Sequence, residues 1–278
     1  MAPKHWLGFV VFCCFVSAAA ARPSRVERKL VAIKAALMSA DYRADLPKLA
    51  SLRTRALQLS DDPHLGYLAD YWSGFASWRI VVNGVSAKMS PEEAKAHLER
   101  AVADFESSIR KKGDFADAYA GAAAVHGWLA AYKGRSDEAA MKQEIESFKR
   151  LLNRALELEP SNPRALWIQA VPFVVLPPER GGNIDRAIEL YRKMLENAGP
   201  LEPQSPLPDW GKVEALMSLA NAHLNKPSPD VNAAEEEASA ALRLQPDWHY
   251  VRDILMPQIN AKRKQLEEQR QAAESSRH

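Results

Sequence analysis

The chain has 278 residues, of which 47% are hydrophobic and 26% are charged. This composition is that of a globular protein, and it excludes collagen, disulfide-rich scaffolds, polytopic membrane proteins and long disordered chains. The 37 Lys and Arg residues nearly balance the 35 Asp and Glu residues. A net charge of +2 therefore offers little sequence-independent attraction to nucleic acid.

The first 21 residues have the pattern of a secretory signal peptide. Lys4 and His5 precede an apolar run of about fourteen residues, and the four alanines at 18–21 contain two A-x-A cleavage patterns. An uncleaved anchor is the alternative, but the run is shorter than the roughly 20 residues that span a bilayer. We therefore predict an exported protein, periplasmic or secreted, with residues 1–21 removed and no stable membrane insertion afterwards.

Both cysteines, Cys13 and Cys14, lie in the predicted signal. Phe12 before Cys13 argues against a bacterial lipid-attachment site, which has a small residue at that place. The mature chain would then contain no thiol, so it could use neither a disulfide nor a cysteine-ligated metal.

The rest of the chain shows helical periodicity and no convincing alternation of period two. Residues 25–40, 46–59 and 63–82 each have apolar residues at helical spacing. Ser90, followed by proline and two acids, predicts a helix start that runs to about Arg110. Another helix is predicted from residues 136–138 to Glu159, and Gly and Pro clusters separate the helices. The sequence therefore predicts an all-α protein.

One motif recurs at the ends of two helices. Ala155-Leu-Glu-Leu-Glu-Pro160 and Ala241-Leu-Arg-Leu-Gln-Pro246 both place alanine five residues before proline. This pattern resembles the tetratricopeptide repeat (TPR), a helix-turn-helix unit of about 34 residues. The resemblance implies a right-handed α-solenoid. Its expected divisions are an N-terminal helix pair at 24–60, TPR-like repeats at 61–246, a C-terminal capping helix at 247–272 and a disordered tail at 273–278.

The connection from Pro177 to Asn183, which reads Pro-Pro-Glu-Arg-Gly-Gly-Asn, is similar to a narrower group. Together with the signal and the repeats, it resembles the T component of tripartite ATP-independent periplasmic (TRAP) transporters. The alternative is a tight interhelical turn in which glycine takes a positive φ and Asn183 caps the next helix.

Motifs of known enzymes are missing from the sequence. No H-E-x-x-H, G-x-S-x-G or phosphate-loop pattern occurs, and the histidines have no clear metal spacing. His126 and His223 occupy repeat positions that usually pack in the core. We therefore predict no enzyme activity, no cofactor and no metal.

The TPR resemblance also implies which residues line the concave face. Matching positions in the first helices carry large apolar side chains, which suit peptide or small-ligand binding. The alternative is that a neighbouring helix, or residues 25–60, covers them. The predicted partner-binding residues are the anchors Trp72, Phe75, Trp128 and Trp167, with Arg164 and Asp117 orienting polar groups.

Two functions remain open. The first is a non-enzymatic scaffold that binds a peptide or a protein segment of unknown identity in its concave groove; the partner can also be a second copy of the chain. The second is a transport-associated ligand-binding component that encloses a cavity or pore. A sealed interior lined by the tryptophans would favour the carrier, and an open groove would favour the scaffold.

Overall fold

The computed structural model describes residues 23–276, and in that range the chain is all-helical, without β-strands. The predicted signal peptide and the last two residues of the predicted tail lie outside the described residues. No helix between residues 23 and 276 is long and apolar enough to cross a membrane. The helices are α1 (Arg25–Tyr42), α2 (Leu46–Leu57), α3 (Gly66–Gly84), α4 (Pro91–Lys111), α5 (Ala116–Lys133), α6 (Glu138–Leu158), α7 (Pro163–Val175), α8 (Ile184–Asn197), α9 (Lys212–Leu224), α10 (Val231–Leu244) and α11 (Met256–Ser275).

Most helices begin at a short polar side chain that accepts a hydrogen bond from the first turn. Such a cap satisfies one of the backbone N–H groups that have no partner within the helix. Ser90 caps α4 as predicted, and Pro91 occupies the first position of that helix. The other side-chain caps are Ser24, Asp45, Asp137, Asn162, Asn183 and Asp230.

Helices that follow each other in the chain pack against each other from α1 to α10, most extensively α3 with α4 and α5 with α6. Helices two apart in this order also touch, since α3 contacts both α1 and α5, and α5 contacts α7. Small residues allow this close packing. A Cβ atom added at Gly121 of α5 would lie 2.5 Å from the ring of Phe105 of α4.

The first helix also contacts the last part of the chain. The Tyr42 ring packs edge-on against Trp248, with 4.9 Å between ring centroids. Both side chains belong to a core cluster with residues of α9 and α10, including Val213 and Ala238. The end of α1 is therefore held against the connection that follows α10.

Two segments, a turn and the last helix, can be compared directly with the sequence predictions. Gly181 has a φ of 99°, and Asn183 caps α8, so the Pro177–Asn183 connection forms the tight turn that was the alternative to the transporter resemblance. The predicted capping helix differs in detail, because a π-helical turn at Tyr250–Leu255 precedes α11. That helix continues to Ser275, three residues past the expected end of the capping helix at 272.

Candidate functional site

The connection between α8 and α9 lies against the face that the sequence predicts to be concave. Its residues 201–210, here called the inner segment, contain no helix or strand and form one turn, in which the Ser205 N–H donates to the carbonyl of Glu202. The face that it covers, here called the inner face, consists of residues from α1, α3 and α7. These residues are Lys34, Tyr71, Trp72, Phe75, Trp78, Arg164 and Trp167.

Helix α3 supplies the buried centre of the inner face. Trp72 and Phe75 are at most 2% exposed, because the inner segment and neighbouring helices cover them. Trp72 Nε1 donates a hydrogen bond of 2.8 Å to the carbonyl oxygen of Pro206. These two side chains are therefore covered, as in the alternative prediction. The cover includes the α8–α9 connection, which that alternative did not name. A partner cannot reach Trp72 or Phe75 in this conformation.

Trp210, at the end of the inner segment, enters an aromatic cluster. Its ring centroid lies 5.7–6.2 Å from those of Phe75, Trp78 and Trp167. Trp210 Nε1 donates to the hydroxyl of Tyr71 at 3.0 Å. Trp78, Trp167 and Trp210 thus pack on one another, and the inner segment occupies the inner face, which is not an open groove in this conformation.

Lys34 of α1 holds the inner segment through charge. Its ammonium group donates to the Asp209 carboxylate at 2.8 Å and to the carbonyls of Glu202 and Leu207 at 2.9 and 3.3 Å. Lys34 is 3% exposed. A buried ammonium needs an opposite charge and hydrogen-bond acceptors, and the inner segment supplies both.

Arg164 and Asp117 form a buried, two-bonded ion pair rather than a free polar site. Two guanidinium nitrogens of Arg164 lie 2.6 and 3.0 Å from the two carboxylate oxygens of Asp117, and Asn162 donates to the same carboxylate. Burial alone would lower the pKa of Arg164, but the charge of Asp117 outweighs it and raises that pKa. A third nitrogen of Arg164 donates to the Trp210 carbonyl at 3.3 Å.

Two predicted anchors keep partly exposed surface. Trp167 is half-buried, and its Nε1 donates to the hydroxyl of Ser218 at 2.8 Å. Trp128 is half-buried at the end of α5, where it stacks on Tyr132, and the guanidinium of Arg135 lies 5.3 Å from the Tyr132 ring. Trp128 and Trp167 are the two proposed anchors that a partner could contact without rearrangement.

A pocket of about 240 Å³ lies where α1 meets the end of the inner segment. Its lining includes Lys34, Met38, Tyr42, Trp210 and Glu214. Tyr42 donates a hydrogen bond of 2.6 Å to Glu214, which also accepts from the Gly211 N–H at 2.7 Å. Burial raises the pKa of Glu214, and the hydrogen bond from Tyr42 partly opposes that rise. The Tyr42 hydroxyl and the Glu214 carboxylate in the pocket are thus already paired.

Two histidines outside the inner face have different surroundings. No group of three or more His, Cys, Asp or Glu residues between positions 23 and 276 could hold a metal ion. His126 lies 2.5 Å from Glu144, which also pairs with Lys133. His223 is buried, as expected, but its ring nitrogens have no hydrogen-bond partner among the described residues.

Sequence reasoning missed the residues that complete the inner face. The proline-rich stretch at 199–208 is one of the Gly and Pro clusters that predict breaks between helices, and the sequence pattern does not single out Lys34 or Trp210. The available signal was a tryptophan directly after Pro208-Asp209 in a proline-rich connection. A large aromatic residue in a polar loop indicates that the loop is packed against a core.

Comparisons with known proteins add little to this description. No family model and no curated protein match the chain. Among solved structures, the chain is similar to the HusA haemophore from Porphyromonas gingivalis, with 21% sequence identity and a TM-score of 0.48 over 73% of this chain and 93% of that chain. A similarity of this size assigns neither a family nor a ligand to the chain.

Proposed function

We propose that this chain is an exported, non-enzymatic binding protein of TPR-like helix pairs in a right-handed α-solenoid, and that it recognises a non-helical polypeptide segment on its inner face. One observation carries this proposal. Four of the residues that the repeat pattern places on the concave face, Trp72, Phe75, Arg164 and Trp167, contact a non-helical segment, which belongs to the chain itself.

The contacts are of the kind that serve peptide recognition. Donors on the inner face bind main-chain carbonyls, which every peptide carries, and an aromatic cluster receives a large side chain. Trp128 and Trp167 add aromatic surface that is still partly exposed. Such residues bury large areas at a low cost in side-chain entropy.

Selection of random peptides displayed on phage against the secreted form of the chain tests the proposal. Selected peptides should contain proline and an aromatic residue. Their affinity, measured by fluorescence anisotropy, should fall about tenfold or more in Trp128→Ala or Trp167→Ala. Tyr119→Ala is the matched control, because Tyr119 is a half-buried aromatic residue of α5 that is not one of the predicted anchors. No selected peptide, or equal affinity for all variants, would contradict the proposal.

The pocket beside α1 favours a second candidate, a transport-associated carrier of a small ligand. Its volume of about 240 Å³ is below the range of most ligand sites, so a ligand would be small. Ala35 lines this pocket and is exposed, so Ala35→Phe should fill it without disturbing the core. A small acid or amine that raises the melting temperature of the wild type but not of Ala35→Phe would support the carrier. Equal shifts in both proteins would argue against it.

A further inference from the structure

We infer that the inner segment is an exchangeable occupant of the inner face, and that a polypeptide which replaces it carries a proline followed closely by an acidic residue and a tryptophan. This inference rests on the proposed function and adds the class of ligand and the way in which the site is kept closed. It follows from which groups of the inner segment contact the inner face and which of its side chains stay exposed.

Only a small part of the inner segment enters the protein deeply. Pro206, Pro208 and Trp210 are buried, whereas Leu201 and Leu207 are exposed large apolar residues. The carbonyls of Glu202, Pro206 and Leu207 accept the hydrogen bonds. The protein therefore contacts the main chain of a proline-containing segment and only a few of its side chains. Bound peptides are recognised in the same way.

Lys34 requires a negative charge in any segment that occupies the inner face. Its three acceptors among the described residues, the carboxylate of Asp209 and two carbonyls, all belong to the inner segment. A displacing segment that lacked a carboxylate would leave the buried ammonium without an opposite charge, which is strongly unfavourable. The inner face therefore selects an acidic residue at this place and does not remain empty.

The aromatic cluster determines which side chain can follow the acidic residue in a bound segment. The indole of Trp210 meets three rings and donates to the Tyr71 hydroxyl, so a smaller side chain would leave both space and an unused acceptor.

The connections at both ends of the inner segment allow it to leave without unfolding a helix. α8 ends at Asn197 and α9 begins at Lys212, so the segment belongs to no helix. Gly211, directly after Trp210, has a φ of 146°, a conformation that favours glycine, so the chain turns at this point before α9. Opening would therefore cost less than global unfolding, as is typical of segments that exchange with ligands.

A labelled peptide with the sequence of residues 201–210, Leu-Glu-Pro-Gln-Ser-Pro-Leu-Pro-Asp-Trp, tests the inference in fluorescence anisotropy. The proteins are the wild type, Trp210→Ala and the control Trp248→Ala, which removes a similarly buried tryptophan that lies outside the inner segment. Trp210→Ala weakens the resident segment, so it should bind the peptide about tenfold or more tightly than the other two proteins do. A peptide ending in Asn-Trp or Asp-Ala should lose about tenfold or more in affinity. Equal affinity for the three proteins would overturn the inference.

Hydrogen exchange in the wild type keeps the test valid if Trp210→Ala does not fold. The indole N–H of Trp72 is covered by Pro206 and should exchange about a hundredfold faster than the slowest backbone amides of α3, because segment opening exposes it. Exchange at the rate of those amides would show that the segment leaves only on global unfolding, and would overturn the inference.

The two proposals can fail separately. If no foreign peptide binds but the 201–210 peptide does, the proposed function is wrong, while the inner segment is still exchangeable. If selected peptides bind through Trp167 and leave the exchange of the Trp72 indole unchanged, the binding function holds and the inference about the inner segment is wrong.

Discussion

The phenol of Tyr42 lies 2.6 Å from the carboxylate of Glu214 and donates a hydrogen bond to it, which joins the first helix to the ninth. Both groups are buried, and burial raises the pKa of each, with the Glu214 charge adding to the rise at Tyr42. The same carboxylate caps α9 through Gly211 at the end of the inner segment. The Glu214 carboxylate therefore joins the end of α1 to the start of α9, directly after the inner segment.

Tyr42→Phe should lower the free energy of unfolding by about 1–3 kcal/mol, because it leaves a buried carboxylate oxygen without its donor. Urea unfolding followed by circular dichroism measures this change. Tyr250→Phe is the control, since Tyr250 is half-buried and donates to Asn221 at 3.1 Å. A loss in Tyr42→Phe no larger than in the control would show that the contact between α1 and α9 is not formed.

Lys34→Met should lower the free energy of unfolding by about 2–4 kcal/mol, because it removes the ammonium that binds Asp209 and two carbonyls. The variant should also speed exchange of the Trp72 indole N–H, since the inner segment is held less firmly. Lys112→Met serves as the control, because its pair with Asp114 is exposed and should not contribute measurably. Similar unfolding curves for both variants would contradict the role of Lys34.

Trp72→Ala should cost about 3–5 kcal/mol of stability, because it leaves a cavity in the core and removes the hydrogen bond to Pro206. Trp128→Ala should cost only about 1–2 kcal/mol, because Trp128 is half-buried. Thermal and urea unfolding compare the two. A small effect at Trp72 would indicate an accessible side chain, as the original anchor hypothesis requires.

The acidity of Glu237 should make stability depend on pH. Burial raises its pKa from 4.5 to about 7, with Asp230 and Glu236 adding to the rise and Arg192 opposing it. Between pH 4.5 and 7 the folded state then holds more protons than the unfolded state, so the free energy of unfolding falls as pH rises through this window. Glu237→Gln is neutral throughout and should remove this fall, which we expect to be about 1 kcal/mol because solvent screens part of the charge.

His223, which lies 3.7 Å from Glu237, acts in the opposite direction. Burial lowers its pKa, so its contribution to stability rises with pH up to its unfolded pKa of 6.5. The difference between Glu237→Gln and the wild type, measured by urea unfolding at pH 5 and pH 8, reports the Glu237 effect. The prediction would be contradicted if the variant, compared with the wild type, were no more stable at pH 8 than at pH 5.

Gly121→Ala tests the close packing of α4 and α5. The added methyl group would meet the buried Phe105 ring at 2.5 Å, so we expect a loss of about 1–3 kcal/mol. Gly127→Ala, on the same helix, would lie at an ordinary 3.5 Å from Phe148 and should gain about 0.5–1 kcal/mol from helix propensity. Melting temperatures that shift in the same direction for both variants would contradict the packing.

The sequence predicted the helices well where local chemistry determines them. Ser90 and Asn183 cap helices as expected, because an N-cap depends on neighbouring residues only. The end of α11 was predicted less well, since a polar terminal helix has no sharp stop signal before Ser275.

The candidate site depends on contacts between residues far apart in the sequence. The repeat pattern identified Trp72 and Trp167 as residues of one face, but it could not show that residues 201–210 return to cover that face. The bond from Trp72 to Pro206 spans 134 positions, and neither residue alone carries a signal for it. Likewise, the repeat pattern could not show that Arg164 pairs with Asp117 while its remaining nitrogen donates to the Trp210 carbonyl of the inner segment.

Proton NOE spectroscopy of the folded chain tests most directly whether the inner segment covers the inner face. The structure predicts cross-peaks between the indole of Trp210 and the rings of Phe75 and Tyr71, and between the Trp72 indole N–H and the protons of Pro206 and Leu207. Spectra in which α3 is assigned but these cross-peaks are missing would show an uncovered inner face and would contradict the proposed arrangement.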